Sequence, residues 1–235
     1  MKKLLIIGTV LLLYTLSVKS QIQIGIKGGY NYFWILSSNE SDPHNQTVFQ
    51  PKENSFSIGC FIKDQTKKKF NPGIEIEYQW KSFRIVNNYG GLSGSVHSYN
   101  NFEIGWLNLY AKPSFSFGSK WKFIVNTGLY FSYMVNSHVS ASRSSWIMGV
   151  THDTTYEGNA TQFINSTDLG IMAGIGIQVP VSTRFQILIE NNYSMGLLNI
   201  SKSNENGSLY NFLNAKFTVG VIYRIENARL ISQKK

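Results

Sequence analysis

Apolar and polar side chains alternate along most of the chain. In the first clear segment Ile22, Ile24, Ile26, Gly28, Tyr30, Tyr32 and Trp34 share one face, and Gln23, Gly25, Lys27, Gly29 and Asn31 the other. Successive side chains of a β-strand project to opposite faces, so a period of two predicts strands with two unlike surroundings. The pattern recurs as Phe56, Ile58, Cys60 and Ile62 against Ser55, Ser57, Gly59 and Lys63, then as Ile74, Ile76, Tyr78 and Trp80 against Glu75, Glu77, Gln79 and Lys81. Trp121, Phe123, Val125, Thr127, Leu129, Phe131 and Tyr133 oppose Lys122, Asn126, Gly128 and Ser132. Leu169, Ile171, Ala173, Ile175, Ile177 and Val179 oppose Asp168, Gly170, Gly174, Gly176 and Gln178. Phe185, Ile187, Ile189 and Tyr193 oppose Arg184, Gln186, Glu190 and Asn192, and Leu213, Ala215, Phe217, Val219, Val221 and Tyr223 oppose Asn214, Lys216, Thr218, Gly220 and Arg224. A further strand, roughly residues 101–115, is mixed. Phe102, Ile104, Trp106 and Tyr110 are expected to face outward with Glu103 and Gly105 inward, but Leu107 and Leu109 interrupt the alternation, as a bulge would.

Eight strands follow, and their connections alternate in length. The short ones are 64–69, 118–120 and 180–183; the long ones, rich in Ser, Asn and Gly, are 36–54, 86–100, 136–166 and 201–210. Membrane barrels have short periplasmic turns and longer external loops. With a periplasmic N-terminus, the connections after strands one, three, five and seven are external, and those are the four long ones. The expected fold is therefore all-β, an eight-stranded antiparallel up-and-down transmembrane β-barrel.

Composition bears on which face points outward. Only 15% of residues are charged while 14% are aromatic, and the mean hydropathy is −0.13. A soluble lipocalin-like periplasmic barrel would show the same period with its apolar face inward, but its outer face would be crowded with Lys and Glu. Here the polar face mixes Gly, Ser, Asn and Gln with a few charges of both signs, which suits a narrow interior. Aromatics fall near both strand ends, as in the girdles of a membrane barrel: Tyr30, Tyr32, Trp34, Trp80, Phe102, Phe131, Tyr133 and Tyr193 toward the long loops, and Trp121, Phe185 and Tyr223 toward the short turns. At the N-terminus, Lys2 and Lys3, an apolar run from Leu4 to Leu16 and small residues at Val18 and Ser20 form the pattern of an export signal. The organisation expected is a signal peptide over 1–20, a barrel over 21–226 and a short basic tail over 227–235. Removing Lys2, Lys3 and Lys19 lowers the formal charge from +9 to +6.

Several segments also resemble one known family. Ile24-Gly25-Ile26-Lys27-Gly28-Gly29-Tyr30-Asn31 is similar to the opening strand of the PorT-like outer-membrane β-barrel family of Bacteroidetes. Phe102-Glu103-Ile104 resembles its fourth strand, although Gly105 stands where the family usually has proline. Asp168-Leu169-Gly170 through Gly174-Ile175-Gly176 resembles the sixth strand, and Glu190-Asn191-Asn192-Tyr193 with Gly196-Leu197 the seventh. The resemblance implies an outer-membrane, porin-like barrel without an assigned activity. Tyr223 is followed by about a dozen residues ending in Gln233-Lys234-Lys235, whereas many such barrels end on an aromatic residue of the last strand.

Candidate chemistry is sparse. Lys27, Glu75, Glu77, Lys81, Glu103, Lys122, Asp168, Arg184, Glu190, Lys216 and Arg224 are expected to point inward and form a polar network. Glu75 and Glu77 could be paired catalytic carboxylates, but an eight-stranded lumen has room for side chains and little else, which favours an ionic plug. His97-Ser98, with His138 and His152 in the third long loop, is the only hint of a lipid-modifying enzyme, and no triad is evident. The single cysteine, Cys60, has no internal disulfide partner. No cofactor or metal motif is present, and the basic clusters Lys67-Lys68-Lys69 and Lys234-Lys235 suit lipid headgroups better than nucleic acid. The expected partners are outer-membrane lipids and a protein reached through the external loops, with Trp146, Ile147, Met148 and Tyr156 as loop contacts. A non-enzymatic barrel with a plugged lumen is the leading reading. A diffusion pore, a lipid-modifying enzyme and a soluble binding barrel are the alternatives.

Overall fold

The computed structural model describes residues 22–37, 45–51, 55–65, 69–91, 94–147, 149–202 and 210–225. Twelve strands run in chain order: β1 (Ile22–Ser37), β2 (Asn45–Pro51), β3 (Phe56–Asp64), β4 (Phe70–Asn71), β5 (Gly73–Gly91), β6 (Gly94–Ala111), β7 (Ser114–Phe117), β8 (Lys122–Ile147), β9 (Val150–Gly158), β10 (Thr167–Pro180), β11 (Phe185–Gly196) and β12 (Tyr210–Ile225). Eight of them close a ring of antiparallel neighbours, β1-β3-β5-β6-β8-β10-β11-β12, with β12 returning to β1. This is the eight-stranded barrel expected from the alternation and the loop lengths. The short strands β4 and β7 extend β5 and β6 past Pro72 and Pro113, where a residue without an N–H interrupts the ladder at the rim.

The registers define the size of the barrel. A row of paired residues runs from Lys122 through Gln178, Leu188, Gly220, Lys27, Gly59, Glu77 and Asn108. It returns to β8 at Ser132, ten residues beyond its start at Lys122. With a rise of about 3.3 Å per residue and strands about 4.8 Å apart, eight strands and this stagger give a tilt of roughly 41° and a Cα radius of about 8 Å. A tube so narrow has to be filled by its own side chains. Gly29 answers that crowding, since a Cβ there would lie 1.9 Å from the Phe217 carbonyl oxygen on the neighbouring strand. At the turn before β8, Gly118 takes a φ of 102°, which a residue with a Cβ rarely adopts.

The two faces of the ring separate as the alternation predicts. Ile26 is 67% exposed on the outer surface while the adjacent Lys27 is 3% exposed inside. The outer surface carries Ile24, Ile58, Ile76, Phe123, Val125, Leu129, Ile171, Ile175, Phe217 and Val219, and among the described residues no helix is long and apolar enough to cross a membrane.

Three strands outlast the ring. A tilted strand needs about 9–11 residues to cross a bilayer, yet β5, β6 and β8 have 19, 18 and 26. Beyond the ring, β2 pairs with β5 and β9 with β8, so that β2-β5-β6-β8-β9 forms a five-stranded sheet. The sheet stands at the end opposite Ile22 and Ile225, which pair with each other. Two segments read as loops, 86–100 and 136–166, are thus largely strand: polar Ser, Asn and Thr residues exposed on both faces hide the alternation that marks a half-buried strand.

The mixed strand β6 is a second correction. Phe102, Ile104, Trp106 and Tyr110 face the lumen and are buried, while Glu103, Leu107 and Leu109 are exposed outside. The irregularity lies in β8, where Gly105 pairs with Asn136 but Trp106 with Met134, leaving Val135 as the extra residue. That bulge moves the lumenal side of β8 from even positions (Met134) to odd ones (Val139).

Replacing Ile175, near the middle of β10, with arginine tests the assignment of faces. Folding into lipid vesicles, followed by denaturant titration, is expected to lose about 2–4 kcal/mol. A water-facing position would be nearly neutral.

Candidate functional site

Two regions concentrate chemistry, the filled lumen and the external sheet. The lumen is layered. At the end nearest the chain termini Gln23, Gln178 and Gln186 are buried, and the Gln23 amide donates to Gln65 Oε1 (2.9 Å) and Gln186 Oε1 (3.2 Å). Lys122 and Arg224 are half-buried at this mouth. Arg184, expected in the lumen, is exposed in the turn before β11, because the strand begins one residue later at Phe185.

Above the mouth, Phe61, Ile124, Leu188 and Ile222 form an apolar layer across the tube. Sequence reading missed it, although a signal exists. Each of the four is the centre of an apolar triplet, Cys60-Phe61-Ile62, Phe123-Ile124-Val125, Ile187-Leu188-Ile189 or Val221-Ile222-Tyr223, at a matched distance from its strand end.

The next layer is ionic. Lys27 Nζ lies 2.8 Å from Glu75 Oε1 and 2.9 Å from Glu190 Oε2. Lys112 Nζ lies 2.8 Å from Glu190 Oε2 and 3.3 Å from Glu75 Oε2. Lys63 approaches Glu190 Oε1 at 3.6 Å, and Lys216 pairs with Glu77 while lying 3.9 Å from Glu75. Five strands (β1, β3, β5, β11 and β12) and Lys112, just past the end of β6, contribute these groups, so the ion pairs lace the wall of the tube together. Buried charges persist only when paired and hydrogen-bonded. Here the Asn126 amide donates to Glu190 (3.2 Å) and the Tyr110 hydroxyl to Glu77 (3.3 Å). Lys63 and Lys112 belong to the cluster but were not singled out from sequence. Lys63 had been assigned only a face, and Lys112 lies in the mixed strand whose faces were reversed. Glu103 points the other way, toward solvent, for the same reason.

Above the ion pairs, Tyr110, Tyr130 and Met172 pack together, and the Tyr130 hydroxyl donates to Asp168 Oδ2 at 2.9 Å. The external end is closed by Phe33, Phe83, Phe102, Ile104, Trp106, Met134, Val139 and Phe212. Phe83 stacks on Phe102 at 4.9 Å and meets Phe33 edge-on at 5.7 Å. Lys81 sits beneath this cap, its Nζ 4.0 Å from the centroid of Phe212 and 5.6 Å from that of Trp106, so ring faces solvate the cation. Phe102, expected in a membrane girdle, is part of the cap. Ala160, Ile164 and Ile200 cover the cap from above. Asn159 caps the short 3-10 helix Ala160–Gln162, its side chain accepting from the Thr161 N–H at 2.9 Å, and Asn165 donates to the Asn199 carbonyl at 2.8 Å. A cavity lined by Gln79, Tyr110, Asn192, Asn214 and Lys216 measures about 10 Å³, room for about one water.

The remaining aromatics lie on the outer surface. Tyr30, Tyr32, Trp34, Phe131, Tyr133 and Tyr193 are exposed toward the sheet end and Trp80 is half-buried; Trp121 and Phe185 are exposed at the other end, with Tyr223 half-buried against Phe185 at 5.3 Å. On the sheet, Trp146, Ile147 and Tyr156 are exposed; Met148 lies outside the described residues. His97 and Ser98 occupy consecutive positions of β6 and point to opposite faces. His97 Nδ1 lies 2.9 Å from Asn88 Oδ1, and Ser98 Oγ accepts from the Asn87 amide at 3.3 Å. Ser144 pairs between His97 and Asp153 in one row. That order places the hydroxyl where an acid–base triad needs the imidazole.

A closed ring with an apolar outside and paired charges inside matches a known domain: the family model described as outer membrane protein beta-barrel domain matches residues 17–202. The chain belongs to this family. Family members cross the outer membrane with strands, so the apolar girth of the barrel meets lipid. A groove of about 860 Å³ on that surface, lined by Ile24, Ile26, Cys60, Ile62, Ile76 and Val221, is open to acyl chains. Among solved structures, the attachment invasion locus protein Ail of Yersinia pestis is 11% identical over 88% of this chain and 100% of its own, with a TM-score of 0.43. The N-terminal barrel domain of OprF from Pseudomonas aeruginosa is 10% identical over 88% and 100%, with a TM-score of 0.39. Neisserial surface protein A is 10% identical over 87% and 97%, with a TM-score of 0.40. No curated protein sequence matches the chain.

Glu190 is the test of the ionic layer, since three lysines converge on it. Glu190→Gln is expected to destabilise the folded barrel by about 3–5 kcal/mol, read as a lower denaturant midpoint and a lower temperature for loss of the compact band on a heat-modifiability gel.

Proposed function

We propose that this outer-membrane barrel is a non-conducting, non-enzymatic scaffold whose filled lumen holds an external sheet in place for binding a partner. One observation carries the reading. Side chains fill the tube at every level, with an apolar layer and an aromatic cap on either side of the ion pairs, while three ring strands continue beyond the membrane into the sheet. A diffusion pore would spend its lumen on water, and a lipid-modifying enzyme would gather a nucleophile and base at the rim, where His97 and Ser98 instead diverge.

The finer assignment to the PorT-like group of Bacteroidetes belongs to this proposal. Its support is the order and spacing of the motifs in β1, β6, β10 and β11. So does the signal peptide over 1–20, supported by its charged start, apolar run and small residues, with 21–226 as the barrel and 227–235 as a periplasmic tail. The polar network of Lys27, Glu75, Glu77, Lys81, Asp168, Glu190 and Lys216 acts in this reading as a structural plug, with Lys122 and Arg224 at its mouth.

Planar-bilayer recording of the refolded protein separates the readings. The scaffold gives no single-channel steps under conditions in which a porin control conducts. Regular ohmic steps from the wild-type chain would replace it with the pore.

A further inference from the structure

The external sheet ends on β9, and β9 has a neighbour on one side only. Its nine residues pair with β8 from Val139↔Gly158 to Ile147↔Val150. Among the described residues nothing donates to or accepts from the backbone of its other edge. Exposed edges are usually guarded by charged side chains, lysine above all, by proline, a bulge or shortness, and the only charges on β9 are the carboxylates of Asp153 and Glu157. The β9 sequence Val150-Thr-His-Asp-Thr-Thr-Tyr-Glu-Gly158 has no lysine or proline, pairs without a register break, and spans about 30 Å.

The turn sets which groups face the open edge. Ile147 and Val150, the last pair of the β8–β9 ladder, stand three apart in sequence, and Gly149 takes a φ of 87°, which makes them a hydrogen-bonded pair. Counting on by twos, Val150, His152, Thr154, Tyr156 and Gly158 direct their N–H and C=O groups at β8. Thr151, Asp153, Thr155 and Glu157 direct theirs outward. The side chains of those four share one face of the sheet, and Asp153 and Glu157 stand four residues apart on it. Their β8 neighbours are Ser144 and Ser140, and neither carboxylate has a salt bridge among the described residues.

We infer that β9 accepts an extended segment of another protein as a sixth, antiparallel strand, and that this segment carries basic side chains four residues apart, opposite Asp153 and Glu157. The inference rests on the scaffold reading above and gives it a surface and a partner chemistry. Main-chain bonds from Thr151, Asp153, Thr155 and Glu157 supply the pairing, and the two carboxylates select register and charge.

The test uses the full barrel in detergent and a capped nine-residue peptide of alternating threonine and valine with lysine at its third and seventh positions. A second peptide has glutamate there. The lysine peptide is expected to bind about tenfold or more tighter than the glutamate peptide, since two cross-strand charge pairs change sign, and D153K/E157K is expected to reverse the preference. Thr155→Pro removes an outward N–H without touching the β8 ladder. It is expected to abolish binding of the lysine peptide while the heat-modifiable band is unchanged. If Thr155→Pro binds normally and only the charge variant fails, strand addition is overturned and the scaffold reading stands. If neither variant alters binding, or the wild type binds neither peptide, the edge is not the site.

Discussion

Hydrocarbon offers no water to a backbone N–H or C=O, so a sheet that crosses a bilayer must pair both of its edges. Closure of β12 onto β1 meets that constraint, and the other properties of the molecule follow from it. Eight strands staggered by ten residues make a tube about 8 Å in Cα radius. Its outward side chains have to be apolar, and its inward ones have to fill a cylinder with little space for water. Charges inside such a cylinder need compensation, which ring faces supply at Lys81, the Tyr130 hydroxyl at Asp168 and opposite charges in the layer between. The result is the lattice of Lys27, Lys63, Lys112 and Lys216 with Glu75, Glu77 and Glu190.

Layering gives the barrel two unlike seals around this lattice. Phe61, Ile124, Leu188 and Ile222 exclude water at the end near Ile22 and Ile225, and the Phe33–Phe83–Phe212 cap does so at the other. Salt bridges placed between them lie in a low dielectric, where breaking one leaves an uncompensated charge. The sheet is built on the ring, because β5, β6 and β8 are continuous from lumen to solvent.

Legibility from sequence differed from strand to strand for a physical reason. In β1 and β12 one face is lipid and the other is mostly polar lumen, so over most of their length every second residue reports its surroundings and the faces were readable, the apolar lumenal residues Phe33, Phe212 and Ile222 excepted. In β6 the outer face is apolar at Leu107 and Leu109 and meets water at Glu103, while the lumen is aromatic. Phe102, Ile104 and Trp106 then look like a membrane face although they point inward, and Glu103 looks like a lumenal charge although it meets water. In β9 and the far end of β8 both faces are solvent, so alternation vanishes and a strand resembles a loop. The members of the ion network on cleanly alternating strands, such as Lys27, Glu75 and Glu190, could be assigned a face, but their partners could not, because pairing depends on a stagger that no single strand encodes.

Cys60 offers the most direct test of the central claim, because it is native, single and exposed on the outer face between Ile58 and Ile62. A fluorophore attached there, with the protein folded into vesicles, can be challenged with lipids brominated on their acyl chains and with a water-soluble quencher. Strong quenching by the brominated lipids and little by the aqueous quencher is the expected result. The opposite pattern would mean that water, and not hydrocarbon, covers the apolar face.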